Sequence, residues 1–389
     1  MKIFKCLVVI ILLNGALYSQ DKCSPEVTWL VDYAKAREES CLTLKPLVVY
    51  IVQERGGCGG NQPIKHVVWD KFLTNESSAE IKDKFVWVKI FQASESNLFI
   101  ESGANNKISC DTMIIAPQQN FYVINEFNPK TTKSAVEVLA KIDETYKKPK
   151  KSVNLQDIRK EAVEKSLEKI EFELIYHGSL RSTVHDLMDN DPFVRIALAE
   201  KIANIDNKKI TPTAISKVLT TLVHSEKNPH VWKRYCQTLA DKKSKKEFAV
   251  ALAEIIEYIA TKFDSAWQVK EVKTLFHNWA CAPDENLAEL ATRLIDKIED
   301  IKNRECKITF EHLSYVGLIK NYMKNKEKKN LETVYKRVKD LGEKNAAFSV
   351  IYNNCFPGKN QWNWSGGVSD FREATMDWIE AELAKAEKK

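Results

Sequence analysis

Closely spaced cysteines are missing from this chain of 389 residues. It has nine cysteines, yet none is followed three positions later by a second cysteine or by a histidine. Structural zinc sites and dithiol redox motifs use that spacing, so the sequence predicts no metal site and no two-cysteine redox motif. Phosphate-binding loops, serine triads and paired carboxylates are missing too, and no cofactor is predicted.

Concentrated charge and long apolar runs are also missing. The formal net charge is only +6, and acidic and basic residues are interleaved through most of the helical half, so no nucleic-acid partner is predicted. The densest positive patch, at residues 147–151, is typical of a solvated linker. Beyond residue 20 no apolar run approaches the ~20 residues that a membrane-spanning helix needs, so no stable membrane span is predicted.

The first 20 residues are typical of an export signal. Lys2 and Lys5 precede an apolar core at residues 7–13, and the small residues Gly15 and Ala16 follow it. We therefore expect residues 1–20 to be removed, and the mature protein to be periplasmic or secreted. Eight cysteines then remain, an even number that permits disulfides in an oxidising compartment. Buried free thiols are an equal alternative for the four in the C-terminal half.

The N-terminal part of the chain alternates between helical and strand-like patterns. Helical spacing over residues 26–39 is followed by a continuous apolar run at residues 47–52, which is rich in β-branched residues. Such a run predicts a strand buried on both faces of a parallel or mixed sheet. Further strands are predicted at residues 85–91 and 120–124, and a helix at residues 133–146. The order predicts an α/β domain over residues 22–147.

This domain resembles the thioredoxin-like superfamily, and most closely its exported bacterial members. The sequence Lys-Pro-Leu-Val-Val at residues 45–49 precedes a glycine-flanked cysteine, Cys58. An aromatic residue, Trp69, lies eleven positions after that cysteine, and a Phe-Val-x-Val-Lys strand follows at residues 85–89. The resemblance covers roughly residues 25–147 and rests on the order and spacing of these motifs.

The resemblance implies a candidate active site around Cys58. In the family, a thiolate stabilised by a helix N-terminus attacks a disulfide, and a second cysteine three residues later resolves the mixed disulfide. Here Asn61 occupies the resolving position, so a dithiol cycle within this motif is excluded. Pro117, after Ala116, falls where the family places a cis-proline beside the active loop.

Three interpretations of Cys58 stay open at this point. In the first it is a monothiol nucleophile whose mixed disulfides are resolved by an outside thiol. In the second it is bridged to Cys41 or Cys110. In the third it is a relic in a non-catalytic domain.

The rest of the chain has helical patterns and an internal repeat. Residues 148–153 are predicted to be a linker, and residues 154–389 to be helical. The phrase Asp-Pro-Phe-Val-Arg at residues 191–195 recurs around Pro229 and, more weakly, around Ala266, at steps of 37 residues. Repeating helix pairs of this length are typical of α-solenoids, and the phrase resembles the second-helix start of HEAT repeats. We therefore expect an all-α, HEAT-like helical-repeat domain after the thioredoxin-like one.

The leading functional hypothesis is a protein-binding or assembly role, because repeat arrays offer extended surfaces to proteins and peptides. The alternative is a monothiol thiol–disulfide oxidoreductase or isomerase that acts through Cys58, with Pro117 helping to present a substrate strand. Trp362 and Trp364 lie in a glycine-punctuated loop. They are interpreted as docking that loop onto the last helices, or else as stacking on a sugar or gripping a partner.

Overall fold

The chain divides into two compact units. Residues 103–105 group with the second unit, and the main division falls after Ile158. The export signal, Cys58, Asn61 and the loop with the paired tryptophans lie outside the described residues. The computed structural model describes residues 29–52, 67–74, 79–91, 96–104, 108–182, 189–242, 246–262, 267–281, 286–301, 304–341 and 371–387.

The described part of the first unit contains four strands and five helices. The strands are β1 (Leu47–Val52), β2 (Val86–Phe91), β3 (Thr112–Ile115) and β4 (Val123–Phe127). The helices are α1 (Tyr33–Thr43), α2 (Val67–Thr74), α3 (Ala79–Lys82), α4 (Ser96–Ser102) and α5 (Thr132–Thr145).

The strands form one mixed sheet in the order β2-β1-β3-β4. β1 pairs in parallel with β2 and antiparallel with β3, and β3 pairs antiparallel with β4. All six residues of β1 are buried, as expected of an apolar, β-branched inner strand. Leu30 extends the sheet beyond β2, because its N–H donates to Trp87 O and its carbonyl accepts from Lys89 N.

Helices cover this sheet. Val48, Tyr50 and Val52 belong to a buried cluster with Trp69 of α2 and with the apolar residues of α5. The alternate residues of β1 are also buried, and α1 packs against β1, β2 and α4. Because neighbouring side chains of a strand point to opposite faces, burial of both sets means that both faces are covered.

The predicted α/β character of this unit is confirmed, but two of its elements differ from expectation. The strand predicted at residues 120–124 lies instead at residues 123–127, and β3 was not predicted. β3 has only four residues, too few to establish a pattern. A helix was predicted at residues 26–39. Within the described residues this helix begins at Tyr33, because Leu30 is hydrogen-bonded to β2 and Asp32 caps the helix.

Every regular element that the structure describes in the second unit is a helix. Its elements are α6 (Leu155–His177), α7 (Pro192–Ala203), α8 (Pro212–Ser225), α9 (Pro229–Asp241), α10 (Lys246–Lys262), α11 (Trp267–Cys281), α12 (Leu287–Asp296), a 3₁₀ turn (Ile298–Asp300), α13 (Arg304–Asn325), α14 (Lys328–Lys339) and α15 (Phe371–Glu387).

The helices α7 to α13 pack in two interleaved series. α9 packs against both α7 and α11, and α11 also packs against α13. Between them α8 packs against α10, and α10 against α12. A proline at the first helical position opens α7, α8 and α9, and the side chain of the preceding residue caps each helix. Local sequence thus sets where these helices begin. Their apolar faces are buried by packing against the helix that lies two places further along the chain.

The residues around the predicted linker, 148–153, bond to the first unit. The Val153 N–H donates to Cys41 O, and the Gln156 side chain donates to Glu38. The first turn of α6 therefore groups with the first unit. None of the described helices combines the length and apolar character that crossing a bilayer requires.

Candidate functional site

The turn at Pro117 follows β3 directly. Ala116 N–H donates to Tyr122 O at 2.9 Å, and Gln118 N–H donates to Ala116 O at 2.9 Å. Pro117 is buried, and the bond before it is trans. The cis-proline implied by the resemblance is therefore wrong. Trans is the preferred form of an X–Pro bond, and this turn satisfies its hydrogen bonds in that form.

Arg37 of α1 holds the carbonyl groups on both sides of Pro117. Its Nη1 donates to Ala116 O at 3.2 Å, and its Nη2 donates to Gln118 O at 2.7 Å. Only 1% of Arg37 is exposed. Because the guanidinium is a planar fork with donors in fixed directions, these two bonds fix the path of the turn.

Glu101 of α4 neutralises the buried guanidinium. Arg37 Nε donates to Glu101 Oε1 at 3.1 Å, and Tyr33 OH donates to the same carboxylate. Burial opposes the charged form of Arg37, but its attraction to Glu101, Tyr33 and Cys41 outweighs burial, so the pKa of Arg37 is raised. The turn is thus anchored by a group that stays cationic at any physiological pH.

Cys41 completes this group, one helical turn after Arg37. Its Sγ lies 3.0 Å from Arg37 Nη1 and 3.5 Å from Gln118 O. Cys41 is fully buried, so a large substrate has no access to it. We call Tyr33, Arg37, Cys41 and Glu101 the Arg37 cluster.

The predicted site residues other than Pro117 fall on undescribed segments. Cys58 and Asn61 lie outside the described residues, so their relation to Pro117 and to a helix N-terminus stays a prediction. One proposed bridge partner, Cys110, is a buried thiol, and the other, Cys41, is buried beside Arg37. The bridge from Cys58 to Cys110 is therefore wrong for this structure, whereas the bridge to Cys41 stays a prediction. The sulfur of Cys41 is engaged by Arg37 and Gln118, and burial raises the pKa of Cys110 to about 11.

The second unit has an open groove between α10 and the 3₁₀ turn, with a volume of about 740 Å³. Tyr258 on its wall is 43% exposed, and the His224 ring stands edge-on to the Tyr258 ring, with the centroids 4.9 Å apart. A groove of this size can take side chains of a bound peptide. Its lining residues are Glu254, Glu257, Tyr258, Thr261, Lys297, Glu299 and Asp300.

The carboxylates of this groove differ in their partners. Glu257 pairs with Lys297 and, at 3.2 Å, with Arg293. Glu299 pairs with Lys307 at 2.5 Å. Within the described part of the chain, Glu254 and Asp300 form no ion pair, so two carboxylates of the groove are available to a cation.

The Arg37 cluster was missed by sequence reasoning, although one signal was present. Tyr33, Arg37 and Cys41 are spaced four residues apart, which puts an arginine on one stripe of α1 together with an aromatic residue and a cysteine. Glu101 lies 64 residues further along the chain than Arg37. Nothing local in the sequence indicates that pairing. The groove was missed because its two sides come from separate helices.

No protein-family model, curated protein or solved structure matches this chain. Among the residues that the structure describes, no group of three or more His, Cys, Asp or Glu side chains is arranged to hold a metal ion.

Proposed function

We propose that this chain is an exported protein that binds a protein partner through its helical second unit, and that its first unit is a degenerate thioredoxin-like module. The strand order supports the thioredoxin-like assignment. Leu30 and β2 run parallel to β1, whereas β3 runs antiparallel to β1 at its other edge. The destination, periplasm or outside medium, rests on the predicted export signal alone.

A HEAT-like identity of the second unit is supported by where its helices start. α7, α9 and α11 begin at residues 192, 229 and 267, close to the 37-residue period of the sequence. They pack on one another in that order, and α8, α10 and α12 pack as a second series. Stacked helix pairs of this kind produce long surfaces suited to extended partners.

The single observation that carries the binding role is the groove beside Tyr258. It combines an exposed aromatic ring with Glu254 and Asp300, two carboxylates that form no ion pair with any residue the structure describes. Aromatic residues are the commonest anchors of protein interfaces, and an aromatic face attracts a guanidinium. The partner that fits is a peptide segment bearing arginine or lysine.

The full chain and a fluorescently labelled peptide of alternating arginine and glycine test this proposal. We expect the peptide to bind, and the double variant Glu254→Gln with Asp300→Asn to bind about fivefold more weakly, since two exposed ion pairs at about 0.5 kcal/mol each contribute about 1 kcal/mol together. The matched control is Glu164→Gln with Glu332→Gln, which removes the same charge from exposed helix positions. Equal weakening by both double variants would contradict the proposal.

A second candidate function is monothiol exchange at Cys58, with Asn61 in the resolving position. The observation in its favour is the buried Pro117 turn, which Arg37 binds through Ala116 O and Gln118 O, in the region where the family presents substrate. The trans bond before Pro117 counts against it. Under this alternative, Cys58→Ser should abolish any disulfide reductase or isomerase activity of the full chain. Activity retained by that variant rules the residue out.

A further inference from the structure

Helix α13 carries a carboxyl group in the middle of its buried stretch. Glu311 is 5% exposed, and within the described part of the chain its Oε2 has no hydrogen-bond partner. By contrast, the buried Ser314 nearby donates to Phe310 O at 2.6 Å. Burying a carboxylate without a partner is costly, so the structure favours the neutral acid at this position.

The cation that acts on Glu311, Lys307, is already engaged elsewhere. Lys307 lies one helical turn earlier on α13, and its Nζ is 2.5 Å from Oε2 of Glu299 in the 3₁₀ turn. The side chain of Lys307 is 20% exposed, whereas that of Glu299 is 83% exposed. The lysine therefore lies between a buried acid and a solvated one.

Other elements around this part of α13 add few charges. Tyr315, one turn after Glu311, interacts with Asp296 of α12, with Arg337 of α14 and with Asp340, which follows α14. α11 contacts α13 through Phe276, which stacks on Phe310 with the ring centroids 5.8 Å apart. From α15, Ile379 joins an apolar cluster with residues of α13.

The protonation of Glu311 changes in the neutral range. Burial raises the pKa of Glu311 to about 7, with Lys307 opposing that rise and Glu299 adding to it. A change of one pH unit near neutrality therefore alters the charge of a buried group that lies one turn from Lys307.

We propose that Glu311 is a pH sensor that competes with Glu299 for Lys307. With Glu311 neutral, Lys307 pairs with Glu299 and ties the 3₁₀ turn to α13. When Glu311 ionises, the buried carboxylate attracts Lys307 more strongly than the solvated one does, because charges interact more strongly away from water. Lys307 then leaves Glu299, which lines the groove, and the groove becomes more negative above neutral pH. Only that last consequence rests on the proposed function.

Carbon-13 NMR of the full chain labelled at the glutamate Cδ tests this exchange between pH 5 and 9. The Glu311 signal is identified by its loss in Glu311→Gln. We expect it to titrate near pH 7, well above the ordinary glutamate value of 4.5, and the backbone amides of residues 298–301 to shift with the same midpoint. In Glu311→Gln that amide shift should disappear.

The variant Lys307→Met separates the titration of Glu311 from the response of residues 298–301. In this variant Glu311 should still titrate, at a pH higher than in the wild type because the opposing cation is gone, while the shared shift of residues 298–301 is lost. The proposal is overturned if Glu311 titrates near the ordinary glutamate value of 4.5, or if residues 298–301 respond equally in wild type and in Glu311→Gln. Because no peptide is present, these outcomes do not depend on whether the groove binds a partner.

Discussion

Arg37 in the first unit and Glu311 in the second are both ionisable side chains removed from water, but their surroundings differ. Arg37 donates to Glu101, Ala116 O and Gln118 O, whereas Oε2 of Glu311 has no hydrogen-bond partner in the described part of the chain. A satisfied buried charge fixes local structure whatever the pH. An unsatisfied one makes local structure depend on pH.

The largest effect that tests this contrast is expected from Arg37→Met. Removing the guanidinium leaves Glu101 buried without its cation, and breaking a buried pair in this way costs about 3–5 kcal/mol. Urea unfolding should show that loss in the first unit. The exposed pair of Lys133 and Glu137 provides the control, because Lys133→Met should cost at most about 0.5 kcal/mol.

The double variant Arg37→Met with Glu101→Leu should recover part of the stability, because it removes both buried charges. The contrast between the units is contradicted if Arg37→Met lowers the free energy of unfolding by no more than Lys133→Met does.

A smaller effect is expected from Glu311→Gln, and it should depend on pH. The folded-state pKa of about 7 lies above the ordinary value of 4.5, so between these values the folded protein binds more protons than the unfolded one. The free energy of unfolding of wild type therefore falls as pH rises from about 4.5 to 7, and is level above that. Glutamine does not titrate, so the stability of the variant relative to wild type should be about 2.5 kcal/mol higher at pH 8.5 than at pH 5.

Chemical denaturation at pH 5 and pH 8.5 measures that difference. Glu332→Gln serves as the control, because Glu332 is exposed. An identical pH dependence in wild type and in Glu311→Gln would show that the carboxyl is not destabilising in the folded state.

The smallest effect is expected at uncharged helix caps, where the two units should behave alike. Asn228 caps α9 by accepting from His230 N and Val231 N, and Thr131 caps α5 by accepting from Ser134 N. Replacing either residue by alanine should cost about 1 kcal/mol. Because neither side chain titrates, the cost should be the same at pH 5.5 and at pH 8.5. A pH-dependent cost at Asn228 alone would mean that something other than Glu311 makes the second unit respond to pH.

Elements with strong local signals were predicted well from sequence. β1 occupies the predicted residues 47–52, and α9 begins at the proline that was predicted to open it. In both cases the determinants lie within the element: a continuous β-branched run, and a cap followed by proline. The third copy has Ala266 in place of that proline, and the described part of α11 is Trp267–Cys281.

Elements and sites that depend on distant residues were not predicted. β3 is a strand because β1 and β4 pair with it on both sides. The candidate sites are of the same kind. The resemblance implied a cis bond before Pro117, yet Arg37, 79 residues away along the chain, binds Ala116 O where that bond is trans. Pairing over such distances is set by tertiary packing, which no local pattern encodes.

Amide hydrogen exchange of both units in one sample, between pH 5.5 and 8.5, tests the contrast most directly. After correction for base-catalysed exchange of unprotected amides, we predict that protection in residues 309–319 of α13 falls as pH rises through about 7. Protection in β1, beside the Arg37 cluster, should stay constant. Equal pH dependence in the two segments, or constant protection in α13, would contradict the account.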